Sequence, residues 1–231
     1  MACTRRPVIR AAMVIVVLGS TLDAEAAGRG PRPNLQSAPV THGADGADVP
    51  MAEISGTTDQ PTAVVRVDNL AEVRAVDLDF AKQRAATVFG NIGARIIWID
   101  EDSAARNHVK APFTLVVTGE KLSSQASALI DALGFAEPTV GRAGIFWDRI
   151  AALNARSAQS IPGILGDVMA HELGHLLLTP PGHSSWGIMR PGVNVRVLPA
   201  GTFTKAQARE ILSRLRRMPA PTGISRDVNR Q

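Results

Sequence analysis

Apolar and polar positions alternate along residues 61–218 in a way that predicts interleaved strands and helices. Three short runs rich in β-branched residues favour strands, at Thr62–Asp68, Ala94–Asp100 and Pro112–Thr118. Between the first two runs, apolar residues recur at helical spacing, which predicts an amphipathic helix that ends near Gly90 to Gly93. The apolar positions of that helix are Val76, Phe80, Ala81, Ala85, Val88 and Phe89.

The second half of this region continues the alternation. Ser123–Leu133, closed by Gly134, is consistent with a short helix, and Gly144–Ile150 reads as a strand. A strongly apolar helix follows around residues 167–178, and Thr204 with Gln207 forms a capping-box pattern that opens a last helix. The apolar side of that last helix consists of Ala208, Ile211, Leu212 and Leu215. This order of elements predicts an α/β (α+β) domain over residues 61–218.

The two ends of the chain have other signatures. Basic residues followed by the apolar run Ala11–Leu18 and by Ala24-Glu25-Ala26 predict a signal peptide over residues 1–26, and hence a secreted protein, extracellular or periplasmic. Residues 27–60 have the composition of a disordered linker or pro-segment, and residues 219–231 that of a mobile tail. No run is long and apolar enough to predict a membrane span.

Composition narrows the possible partners. The chain holds 25 basic and 21 acidic residues; removal of residues 1–26 takes away three Arg, one Asp and one Glu, which leaves a net charge of +3. Such a weak and dispersed charge, with few aromatics, argues against nucleic-acid binding. The single cysteine, Cys3, precedes the predicted cleavage site, so the mature chain would contain no disulfide. We expect a monomer.

The candidate chemistry lies in the sequence His171-Glu172-Leu-Gly-His175. Residues four apart share a helix face, so His171 and His175 can bind one cation, while Glu172 lies about 100° around the helix. That offset places the carboxylate beside the metal, where it can take a proton from water. The alternative is an apolar core helix that carries two histidines by chance. It would bury two imidazoles and a carboxylate without evident partners, which is unfavourable.

A third ligand can be sought by elimination. Catalytic zinc usually takes three protein ligands, and after His175 only His183, Glu210 and Asp227 offer a His, Asp or Glu side chain. Glu210 belongs to a basic amphipathic segment, where a solvated position is expected. His183 follows a Pro-Pro-Gly sequence that ends the helix and lets the chain turn back. We therefore predict one catalytic Zn²⁺ bound by His171, His175 and His183.

Residues 171–190 resemble the metzincin clan of zinc endopeptidases, in particular secreted bacterial proteins of matrixin-like type. The resemblance is carried by the HELGH sequence, the later His183 and Gly187-Ile188-Met189. It implies a mixed twisted sheet with packed helices, a zinc helix, and a small C-terminal subdomain that ends in a helix. It also implies that Met189 lies in a methionine turn beneath the zinc. The spacing differs, since the metzincin pattern would place Gly at 178 and His at 181, where this chain has Leu178 and Pro181.

The resemblance also concerns substrate binding. In metzincin-like proteins the strand before the zinc helix borders the cleft and pairs with the substrate backbone, which here points to Gly144, Ile145 and Phe146. The alternative is an edge strand whose open side is covered by a loop.

Two functions remain open from the sequence. The first is a secreted zinc endopeptidase that acts on peptides or proteins, with Glu172 as the general base. The second is a zinc-stabilised extracellular binding protein without turnover. An intact Glu172 favours the enzyme, because a structural zinc site fills its fourth position with a ligand and needs no base.

Overall fold

Five strands form one twisted sheet in the computed structural model, which describes residues 60–100, 110–119, 132–153, 160–191 and 201–219. The strands are β1 Thr62–Asn69, β2 Arg95–Ile99, β3 Phe113–Thr118, β4 Gly134–Glu137 and β5 Arg142–Phe146. Their order across the sheet is β2-β1-β3-β5-β4. All neighbouring pairs are parallel except β4 and β5, which are antiparallel. The strand order places β4 at one edge of the sheet.

The first three strands confirm the sequence prediction to within one or two residues at either end. In β1 the consecutive residues Ala63, Val64 and Val65 are all buried. A strand covered on both faces needs such a continuous apolar run rather than a strict alternation. The apolar run of β1 therefore predicted a strand correctly, because β1 lies inside the sheet.

Within these described ranges, four helices accompany the sheet: α1 Ala75–Gly90, α2 Trp147–Ala152, α3 Ile161–Leu177 and α4 Lys205–Arg217. Helices α1 and α3 pack closely, because a Cβ at Gly166 would lie 2.7 Å from the Ala81 carbonyl oxygen. The Arg84 guanidinium binds the Asp167 carboxylate across this contact, with Nε and Oδ1 2.9 Å apart. This half-buried pair ties α1 to the helix that carries the HELGH sequence.

The predicted apolar face of α1 is wrong at its N-terminal end. Val76 and Phe80 are 68% and 51% exposed, whereas Leu78, Ala81, Ala85, Val88 and Phe89 are buried. At 100° per residue, Val76 is half a turn out of phase with Ala85. Small side chains on the opposite face allow the close contact with α3, and that packing decides which side of the helix is buried.

Two further predictions differ from the structure. Residues 123–131 of the predicted helix lie outside the described residues, but Gly134, expected to close that helix, instead begins β4. The strand expected to run to Ile150 ends at Phe146, and α2 begins at Trp147. A four-residue strand such as β4 is too short to show a recognisable alternation of apolar and polar residues. It is stabilised by pairing with β5.

The last helix confirms its predicted start. The Thr204 hydroxyl accepts from the Gln207 backbone N–H at 3.3 Å, and the Gln207 side chain accepts from the Thr204 N–H at 2.9 Å. The strands and packed helices confirm the predicted α/β fold class. None of the helices in the described ranges has the length and apolar character needed to cross a membrane.

Candidate metal centre

Helix α3 presents the first two histidines from a buried position. Its N-terminus is capped by Ser160, whose hydroxyl accepts from the Gly163 N–H at 3.3 Å. His171 and His175 are 6% and 2% exposed, and their Nε2 atoms lie 3.0 Å apart. The four-residue spacing thus brings two ring nitrogens to one point, as expected for residues on one helix face.

His183 completes the group. The chain leaves α3 after Leu177 and turns at Gly182, whose φ of +69° is readily adopted only by glycine. This turn places the His183 ring centroid 4.7 Å from that of His175 and 5.5 Å from that of His171. One nitrogen from each ring lies within 4.8 Å of the others, so the turn reaches the site despite the later position of His183 in the sequence.

A backbone hydrogen bond orients the first ligand. The His171 Nδ1 atom lies 2.7 Å from the Ile188 carbonyl oxygen, which can only accept. Nδ1 therefore carries the ring proton, and Nε2 keeps a lone pair directed toward His175. Partners of this kind set the tautomer and orientation of metal-binding histidines. This role of Ile188 has no sequence signal, since any residue offers a carbonyl.

Glu172 is not part of the histidine group and lies against the edge strand. Its side chain is fully buried, and neither carboxylate oxygen has a hydrogen-bond partner among the described residues. A Cβ at Gly134 would lie 2.7 Å from Glu172 Oε1, so the missing side chain of Gly134 makes room for the carboxylate. Because Gly134 was expected to end a helix, the sequence did not reveal this contact.

Burial controls the charges of these groups. Burial lowers the pKa of His171 to about 4, aided by the charge of His183, and lowers that of His175 to about 2, aided by both other histidines. Burial also lowers the pKa of His183. Burial raises the pKa of Glu172 well above its ordinary value. At neutral pH the three imidazoles are therefore uncharged, which is the form that binds metals.

The residues fit one zinc ion. His183 Nε2 and both Glu172 oxygens are buried polar atoms without a hydrogen-bond partner in the described part of the chain. Such atoms are normally satisfied, and a cation bound by the three imidazoles would engage His183. Three histidines with a free fourth position form the ligand set of a catalytic zinc site. Glu210, the alternative ligand, is not in this group.

Met189 lies in the packed core against helix α3. It is fully buried, and a Cβ at Gly174, between His171 and His175 on the helix, would overlap its sulfur atom. The same Cβ would lie 3.1 Å from Phe203. The glycine of the HELGH sequence thus allows the thioether to approach the helix backbone, and no described contact makes Met189 a ligand.

We expect Gly174→Ala to destabilise the protein through this contact. Overpacking a core by one methyl group typically costs about 1–3 kcal/mol, although alanine's better helix propensity offsets up to about 1 kcal/mol. Chemical unfolding should show a smaller loss for Gly174→Ala in a Met189→Ala background, because the overlapping sulfur is then gone. Met189→Leu, which conserves volume, should cost less than about 1.5 kcal/mol and retain zinc. Equal losses from Gly174→Ala in both backgrounds would contradict the contact.

The pKa shifts also predict how the metal-free protein responds to acid. Unfolded histidines take up protons near pH 6.5, whereas the folded ones, with lowered pKa values, do not. Stability therefore falls as pH drops from about 6.5 toward 5. Glu172, with its raised pKa, acts in the opposite direction, but it is one group against three. Urea unfolding of the metal-free protein at pH 7, 6 and 5 should show this fall in the free energy of unfolding. In the His171→Gln variant the free energy of unfolding should fall less over the same pH range. An equal fall in the variant and the wild type would contradict a lowered pKa for His171.

The predicted substrate strand is differently placed. Gly144, Ile145 and Phe146 lie in β5, which pairs with β3 on one side and with β4 on the other. All three residues are buried. Neither sequence interpretation of β5, as a substrate-pairing strand or as an edge strand, agrees with this position. The antiparallel strand β4 was missed from the sequence, and it takes the edge position.

Glu210 also differs from expectation. It was expected on a solvated face, yet it is half-buried, and its Oε1 atom accepts from the Thr179 N–H at 2.6 Å. Glu210 is the one acidic residue of a basic helix. Its unusual charge in that helix was the only sequence feature that set it apart from its solvated neighbours.

Solved structures that are similar to the chain include the following two. One is a zinc-dependent peptidase from Methanocorpusculum labreanum (strain Z), with 15% identity, a TM-score of 0.44, and coverage of 64% of this chain and 99% of that chain. The other is archaemetzincin from Archaeoglobus fulgidus, complexed with malonate, with 20% identity, a TM-score of 0.41 and the same coverages of 64% and 99%. No protein-family model and no curated protein matches the chain. With TM-scores below 0.5, neither likeness assigns a function to this chain.

Proposed function

We propose that this chain is a secreted, matrixin-like zinc endopeptidase. The observation that carries the proposal is a fully buried carboxylate without a hydrogen-bond partner among the described residues, on Glu172, which follows His171 on the helix that supplies two of three converging imidazoles. A packed core gains nothing from such a carboxylate, since burying it is unfavourable. Hydrolysis at a metal centre, by contrast, uses imidazoles to bind the metal and a carboxylate to accept the proton of water. Secretion is supported by the signal-peptide pattern of residues 1–26.

The histidines would provide the metal site. His171, His175 and His183 would hold one zinc ion, with His171 kept in orientation by the Ile188 carbonyl. When bound, zinc would supply the Lewis acidity that activates water and polarises a peptide carbonyl. Neutral imidazoles favour this binding because no proton has to be displaced at neutral pH.

Glu172 would move the proton. Its carboxylate accepts a proton from the attacking water as the new C–O bond forms, and delivers it to the leaving nitrogen as the C–N bond breaks. The carboxylate is thereby regenerated. Burial raises the pKa of Glu172, whereas a nearby cation would favour the charged form and so support its capacity as a base.

The edge strand offers a path for the peptide. Gly134, the first residue of β4, touches the Glu172 carboxylate, and β4 pairs with β5 on one side only within the described residues. An extended peptide that adds to a sheet edge forms backbone hydrogen bonds along it. A peptide paired with β4 would therefore pass beside Glu172.

The alternative, a zinc-stabilised binding protein without turnover, is less well supported. A structural zinc site is closed by four protein ligands. In the described ranges the group contains three, and Glu172, one residue after His171, keeps a buried carboxylate without a hydrogen-bond partner.

The proposal is tested by chelation. Mature chain from residue 27 onward is incubated with a peptide library, and the products are sequenced by mass spectrometry. We expect cleavage at internal bonds, loss of cleavage after a chelator removes the metal, and recovery when zinc is returned. Cleavage that persists in metal-free protein would contradict a zinc-dependent mechanism.

A further inference from the structure

Two side chains of helix α4 hold the segment that carries the third histidine. At its start, the Thr179 N–H donates to Glu210 Oε1 at 2.6 Å. Near its end, Gln207 Nε2 donates to the Gly182 carbonyl oxygen at 2.8 Å. The two prolines between these points have no N–H to donate. These two side-chain contacts therefore attach the segment to α4 at both of its ends.

Gln207 has a second role besides capping its own helix. Its side chain is 8% exposed, and Oε1 accepts from the Thr204 N–H to complete the capping box. Glutamate performs this capping equally well at the same helix position. The cap therefore does not explain the amide N–H group, which is used instead on Gly182. A buried amide with both ends engaged fixes the distance between the helix start and the segment.

The contact lies one peptide group away from the candidate ligand. The Gly182 carbonyl and the His183 nitrogen belong to the same planar peptide unit. The hydrogen bond to the Gly182 oxygen therefore fixes the orientation of the peptide plane to which His183 is attached. Gly182 also lies against His175, since a Cβ there would be 3.3 Å from His175 Nδ1. Unlike His171 and His175, His183 is only half-buried, so packing restrains it less.

We propose that Gln207 is a positioning residue that holds His183 at the metal centre through the Gly182 carbonyl. This inference rests on the proposed function, because it presumes that His183 binds zinc. Gln207 itself touches neither metal nor substrate. Its effect should therefore appear as zinc affinity and as the geometry of the metal site, and it should depend on His183.

Gln207→Glu separates the two roles of the side chain. Glutamate keeps the acceptor for Thr204 but replaces the N–H donor with an oxygen that repels the Gly182 carbonyl. Thr204→Ala is the matched control, because it weakens the cap while leaving the Gln207 amide able to donate. Gln207→Met, which has a similar shape and no hydrogen-bonding group, is a second variant in case Gln207→Glu does not fold. Circular dichroism and thermal unfolding check each protein.

Zinc affinity is measured by competition with a chromophoric chelator, and site geometry by the visible absorption of the cobalt(II) form. Loss of an outer partner of a metal ligand typically costs 10–100-fold in affinity, and we expect Gln207→Glu to fall in this range with an altered cobalt spectrum. Thr204→Ala should lower the thermal midpoint but change zinc affinity by no more than about twofold. Gln207→Met should weaken binding in the same direction as Gln207→Glu.

A double-mutant cycle identifies the route of the effect. In a His183→Ala background, Gln207→Glu should weaken zinc binding no further, because the residue that it positions is absent. An undiminished loss in that background would overturn the proposal, and so would equal affinities and spectra for wild type and Gln207→Glu. A wild type that binds no zinc would overturn the proposed function and this inference together. The other two results would overturn this inference alone.

Discussion

His183→Ala is expected to weaken zinc binding by more than the roughly 10–100-fold that accompanies loss of an outer partner, because it removes a ligand itself. One nitrogen of His183 converges with those of His171 and His175, and its buried Nε2 has no other partner in the described part of the chain. Competition with a chelator measures the affinity, and metal analysis after gel filtration measures the retained zinc. The variant should still fold, because His183 is only half-buried and its removal leaves the packed core unchanged.

The matched control is Glu210→Gln. Glutamine retains an oxygen that can accept from the Thr179 N–H, as Glu210 does, but it removes the carboxylate that a zinc ion would select. Zinc affinity should remain close to wild type in this variant. If Glu210→Gln lost zinc while His183→Ala retained it, Glu210 would be the third ligand and the histidine assignment would be wrong.

Glu172→Gln is expected to lower turnover by at least about 100-fold, within the range of 10²–10⁴ typical of general acid–base catalysis. Glutamine keeps the shape of the side chain that fits beside Gly134, but it cannot accept the proton. Zinc content should not change, because the carboxylate is not among the converging ligand atoms. Thermal unfolding of the zinc-loaded proteins should also remain close, which separates a catalytic loss from a folding loss.

The sequence predicted those features that depend on local spacing. His171 and His175 converge because they are four residues apart on one helix, and the Thr204–Gln207 capping box is equally local. The strands β1 and β3 were recognisable because their buried positions inside the sheet require nearly continuous apolar runs. His183 was found by elimination, and the position of Gly182 in the left-handed region explains how the chain turns back at that spacing.

Features that depend on tertiary packing could not be predicted in this way. Val76 and Phe80 are apolar and four residues apart, yet they lie on the face opposite to Ala85, and α1 turns its small residues toward α3 instead. Strand β4 exists through pairing with β5, and its edge position moves the expected substrate contact away from Gly144. The contacts of Gln207 and Glu210 with the His183 segment join residues 25 and 31 positions apart, and no local pattern encodes them.

The measurement that tests the central claim most directly compares wild type with Glu172→Gln on a broad peptide library at matched zinc occupancy. The account predicts that the wild type cuts internal peptide bonds and that the variant, with the same zinc content, cuts them at least about 100-fold more slowly. Equal rates for the two proteins would remove Glu172 from the mechanism. No cleavage by either zinc-loaded protein would contradict the peptidase assignment and favour a zinc-stabilised binding protein.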